Sequence, residues 1–124
     1  MLEIDPKIAG TWSYKGIALS GLKKYEEAIV CYDKALEIDP NDASILNSKS
    51  WTLCKRERYP DALLSSEMSL VIDSTTFEYI HTKGFILLKL KQYQDAIKWF
   101  DKALAIDPNH KDSIKDRQLA VDSL

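Results

Sequence analysis

YEEAIVCYDKALEIDP at residues 25–40 and YQDAIKWFDKALAIDP at residues 93–108 are one pattern written twice, with YPDALLSSEMSLVIDS at residues 59–74 as a worn copy between them. In the first copy Tyr25, Ala28, Tyr32, Ala35 and Leu36 fall on one side of an α-helix, while Glu26, Glu27, Asp33, Lys34 and Glu37 take the other. The helix must stop at Asp39-Pro40-Asn41-Asp42. Pro40 pushes the residue before it out of helical geometry, and Asn and Asp supply turn and cap chemistry.

Working outward, Tyr25, Tyr59 and Tyr93 stand 34 residues apart, and other columns keep the same register. They include Lys15, Lys49 and Lys83; Gly16, Ser50 and Gly84; Leu19, Leu53 and Leu87; and Ala28, Ala62 and Ala96. A period of this length is the mark of a stacked array. Upstream of each pattern lies a second helical stripe, as in Trp12, Gly16 and Leu19 at i, i+4 and i+7, which predicts a first helix over roughly residues 9 to 22. Glycine inside a helix costs about 1 kcal/mol relative to alanine, so Gly16 and Gly84 imply that a ring or a backbone comes close there.

Each unit is thus a pair of antiparallel helices, and the predicted fold class is all-α, an α-solenoid of such pairs. The expected divisions are residues 1–8 as the tail of a preceding repeat, 9–42, 43–76 and 77–110 as three repeats, and 111–124 as a C-terminal capping helix. The tail is expected because Leu2-Glu3-Ile4-Asp5-Pro6 repeats Leu36 to Pro40 letter for letter. It suggests descent from a longer array.

The 124 residues are 45% hydrophobic and 10% aromatic, enough for one packed domain. The 17 basic and 19 acidic side chains are mixed along the chain to a formal charge of −2, so no field is available to draw in nucleic acid or an anionic membrane. Cys31 and Cys54 have no CxxC spacing and read as free thiols in a reducing, cytoplasmic compartment.

Trp12-x-x-Lys15-Gly16-x-x-Leu19, then Ala28-x-x-x-Tyr32, Ala35 and Pro40, resemble the tetratricopeptide repeat over nearly the whole chain. The middle unit departs most, with Leu46, Ser50, Ser66, Ser69 and Ser74 in the tryptophan, glycine, aromatic, alanine and proline columns. The resemblance implies a right-handed superhelix whose first helices line a concave groove. On those helices a second stripe stands outside the core face, and it nominates Tyr14, Ile17, Asn47, Ser48, Trp51, His81, Thr82 and Phe85 as a peptide-binding groove.

In that family, chaperone tails are gripped by Lys, Asn and Arg. The matching columns here hold Ser13, Ile17, Ser48, Glu78 and Thr82, so no carboxylate clamp is expected. The expected function is therefore a protein-interaction scaffold for a peptide segment of a partner. The alternatives are a self-assembly module stacking through its repeat ends or convex face, and a non-catalytic arm of a larger enzyme or regulator. Met68 and Val71 add apolar surface to the middle second helix, which nominates them for self-association into a homo-oligomer. No nucleophile elbow, phosphate loop or ligand-spaced histidine is present, so no catalysis, metal or cofactor is expected.

Overall fold

The computed structural model describes residues 6–124, which form seven α-helices in sequence order. They are α1 (Pro6–Gly21), α2 (Tyr25–Ile38), α3 (Ala43–Lys55), α4 (Tyr59–Ile72), α5 (Phe77–Lys89), α6 (Tyr93–Ile106) and α7 (Lys111–Asp122). Of the expected upstream tail, residues 1–5 lie outside the described residues, and Pro6 opens α1 instead. Proline suits a first helical position because its missing N–H would go unused there.

The helices pair as α1/α2, α3/α4 and α5/α6, with α7 laid on α6 and touching α5. Among the described residues the backbones of α1, α3, α5 and α7 approach their neighbours in turn, whereas those of α2, α4 and α6 stay further apart. The stack therefore curves with the odd-numbered helices inside.

Each hairpin turns through the same cap. Lys23, Glu57 and Lys91 adopt left-handed φ values of 64°, 59° and 64°. Around the first, Lys24 N–H donates to Leu19 O at 2.8 Å and Lys23 N–H to Ser20 O at 2.9 Å. Arg58 to Leu53 and Glu57 to Cys54, then Gln92 to Leu87 and Lys91 to Leu88, repeat the arrangement. These paired bonds satisfy carbonyls that a helix end would leave orphaned. Gly21 is not the left-handed residue; the turn falls two positions later.

The glycine columns are explained by rings. A Cβ on Gly16 would lie 2.7 Å from the Tyr32 ring, and one on Gly84 would lie 2.8 Å from Phe100. Both rings are buried. In the middle unit the ring is replaced by Ser66, and the facing position is free to be Ser50, whose hydroxyl donates to Ala62 O at 2.8 Å. Ser69 likewise donates to Ser66 O at 2.7 Å. The worn unit thus replaces the aromatic contact with small polar side chains, the Ser50 and Ser69 hydroxyls hydrogen-bonded and that of Ser66 enclosed without a partner.

Its turn makes a parallel exchange, because Ser74 stands where the other units have proline. Asp73 accepts from Thr76 Oγ1 at 2.6 Å and from Thr75 N and Oγ1 at 2.9 Å each. Those bonds, Thr76 foremost, hold its carboxyl down at about 2. Asp42 caps α3 in the ordinary way, accepting from Ser44 N and Ile45 N.

Candidate functional site

The inner face is built on α1, α3 and α5. Tyr14 and Ile17 stand out from α1, 75% and 49% exposed, and with Ser13, Asp42, Ser44 and Ser48 they border a cleft of about 290 Å³. One turn further along the groove, Trp51 on α3 and Phe85 on α5 meet at 5.0 Å between ring centroids, tilted by 35°. Both are half-buried and packed on the core around Leu53, Cys54 and Ile86. Each keeps part of its surface open, and Lys89 Nζ sits 5.4 Å above the Phe85 ring. Ser20 and Thr52, their hydroxyls 3.2 Å apart, tie α1 to α3 beneath this surface.

Three nominated polar residues sit differently from the expectation. Thr82 is fully buried, its hydroxyl spent on Glu78 O at 2.7 Å. His81 is covered by α7, with Nδ1 2.9 Å from Ser113 Oγ. Asn47 is half-buried, and its Oδ1 is enclosed without a hydrogen-bond partner. For His81 the cause is α7, which continues the array and lays Ser113 and Asp116 against that end of the inner face. Of the nominated residues, Tyr14 and Ile17 are exposed, and Ser48, Trp51 and Phe85 are half-buried.

The lysine column does not charge this groove. Lys15 lies over Trp12 at 5.3 Å, Lys49 pairs with Asp33 at 2.6 Å, and Lys83 lies over Trp99 at 4.3 Å. Lys102 meets Trp99 as well, at 4.1 Å, leaving the indole between two cations. On the outer side Leu64, Met68 and Val71 form an exposed stripe at helical spacing along α4, with Val71 86% exposed.

Ser113, His81 and Asp116 have the composition of a hydrolytic triad, but Ser113 is fully buried and its hydroxyl is engaged by two histidines. No substrate carbonyl reaches it. Burial pushes the Cys54 thiol up to about 12, so it is not a nucleophile near neutral pH. Among the described residues no cluster of three or more His, Cys, Asp or Glu is placed to hold a metal ion. No helix among them is long and apolar enough to cross a membrane.

No curated protein sequence matches this chain. Solved structures do. The first TPR of Spaghetti (RPAP3), bound to the HSP90 peptide SRMEEVD, superimposes with a TM-score of 0.93 at 18% identity, covering 99% of this chain and 98% of its own. The Arabidopsis OM64 TPR domain gives 0.91 at 17% identity over 96% and 98%. The second TPR domain of human RPAP3, in complex with the HSP70 peptide SGPTIEEVD, gives 0.88 at 19% over 94% and 98%. At these identities the likeness establishes the fold. Family models described as tetratricopeptide repeat match residues 9–42, 31–63 and 77–110. With those matches over most of its length and seven helices nested as in the TPR structures, the chain belongs to the tetratricopeptide repeat family and folds as its all-α solenoid.

Proposed function

We propose that this chain is a non-catalytic protein-interaction module that takes a short segment of a partner protein along its concave face, with residues 9–42, 43–76 and 77–110 as its repeats and 111–124 as its cap. The observation that carries the reading is the pair of exposed apolar side chains, Tyr14 and Ile17, at a cleft between α1 and the start of α3. Apolar side chains left open on an inner face offer a partner the desolvation on which peptide recognition rests. The similar structures hold peptides ending in EEVD. In this chain Ser13, Ile17, Ser48, Glu78 and Thr82 stand in the columns that would have to grip such an acidic end. None is a cation, and Glu78 repels a carboxylate. The ligand is accordingly an apolar segment without an acidic terminus. Two buried, unpaired cysteines fit a cytoplasmic setting.

Trp51 is half-buried, so truncating it mixes folding with binding. Tyr14→Ala with Ile17→Ser separates them. Against the tightest peptide selected from a random display library, the double variant is expected to lose at least about tenfold in affinity by calorimetry, with an unchanged melting curve. Equal affinity in variant and wild type would show that the inner face is not the binding surface.

A further inference from the structure

The capping helix meets the stack through a closed set of polar groups that the groove does not use. His110 caps α7, its Nδ1 accepting from Ser113 N–H at 3.1 Å. Ser113 Oγ lies 2.9 Å from that nitrogen and 2.9 Å from Nδ1 of His81 on α5. One proton arrangement satisfies all three contacts. His81 Nδ1–H donates to Ser113 Oγ, and the serine O–H donates to His110 Nδ1. His110 Nδ1 then carries no proton, and His81 Nε2 presents a bare lone pair 3.9 Å from Asp116 Oδ2. The rings are closely packed, His81 lying 5.2 Å from His110, 5.7 Å from Phe100 and 6.1 Å from Phe77.

We propose that His81, Ser113 and His110 form a proton-operated latch, which holds α7 against α5 at neutral pH and releases it in mildly acidic solution. A proton added to His110 must sit on Nδ1, where it displaces both the helix-cap bond and the serine donor. It also places a cation at the N-terminus of α7, which the helix dipole opposes. A proton added to His81 places a cation among closely packed rings, 5.2 Å from that of His110.

Burial is the main reason the His81 ring resists protonation, lowering its pKa; His110 adds to the effect and Asp112 works against it. Asp116, the acid nearest Nε2, is driven toward its neutral form by burial and by Asp112, which weakens the attraction it offers. Lys115, Lys89 and His110 oppose that drive. From α6 the uncharged Phe100 faces the His81 ring; elsewhere on α5, Lys83 shares a cleft with Glu67 of α4 and Lys102 of α6, and Lys89 acts on the Cys54 thiol of α3. Because the folded value of His81 lies below the ordinary imidazole value of about 6.5, the latch is at full strength above that pH and weakens as the pH falls below it. Release bares the face of Leu87, Ala96 and Phe100 that Ala120 now covers.

Amide hydrogen exchange resolved by residue tests this at pH 7.5 and 5.5, after correction for the intrinsic pH dependence of exchange. In the wild type the amides of α7 are expected to open at least about tenfold more often at the lower pH, while those of α3 and α4 do not change. In a His81→Gln, His110→Asn double variant the α7 response is expected to vanish, since neither replacement titrates and asparagine still caps a helix. No selective response of α7 in the wild type overturns the proposal, as does an equal response in the double variant. Should the double variant fail to fold, His110→Asn alone decides. A reduced response supports the latch, and an unaltered one overturns it.

Discussion

Phe100→Ala is expected to lower the free energy of unfolding by about 3–5 kcal/mol, seen as a fall in the urea midpoint with little change in slope. The ring is fully buried and belongs to the cluster of Leu87, Ala96 and Ala120, so it joins α5, α6 and α7. Its edge also rests on the glycine column of α5, where the missing Cβ makes room for the ring. Truncation therefore removes the transfer energy of the ring and leaves a cavity walled by three helices. Against a total of about 5–15 kcal/mol for a domain, this is a large share. A loss under about 1 kcal/mol would mean that the last hairpin is not organised around this ring.

Gly84→Val should cost about 2–3 kcal/mol, for the complementary reason. Even a Cβ at this position would stand 2.8 Å and 2.9 Å from Phe100 Cε1 and Cδ1, and both atoms belong to a ring with no free space behind it. Overpacking outweighs the roughly 1 kcal/mol by which a side chain ordinarily improves on glycine within a helix. The two substitutions must therefore couple. In the Phe100→Ala background, Gly84→Val should cost far less, with an interaction energy of about 1–3 kcal/mol in the double-mutant cycle. Simple additivity would contradict the ring-on-glycine contact.

That contact shows how far the sequence could be read. Glycine inside a helix signals close approach, and the structure supplies its partners, Tyr32 and Phe100, each sixteen positions downstream in the paired helix. The serine substitutions of the middle unit read in sequence as wear. In three dimensions Ser50 and Ser66 explain each other, because removing the ring removes the need for glycine. The left-handed Lys23, Glu57 and Lys91 carried no such signal, since the residue that usually marks this conformation is glycine and none stands there. Tyr14, Ile17, Trp51 and Phe85 stood out in the sequence because their apolar character falls outside the core stripe, and the structure leaves the first two exposed and the last two half-buried. His81 and Thr82 are buried instead, because helical spacing gives the face but not what covers it. The histidine latch was invisible for a related reason: its groups come together from α5 and the cap of α7, with Ser113 32 residues beyond His81. Spacing along one helix does not reach that far.

The most direct test is a backbone chemical-shift map of the protein titrated with the library-selected peptide at neutral pH. Shifts gathered on Tyr14, Ile17, Ser48, Trp51 and Phe85 are the predicted result. Shifts gathered instead on Leu64, Met68 and Val71 of α4 would place recognition on the convex side and contradict the account.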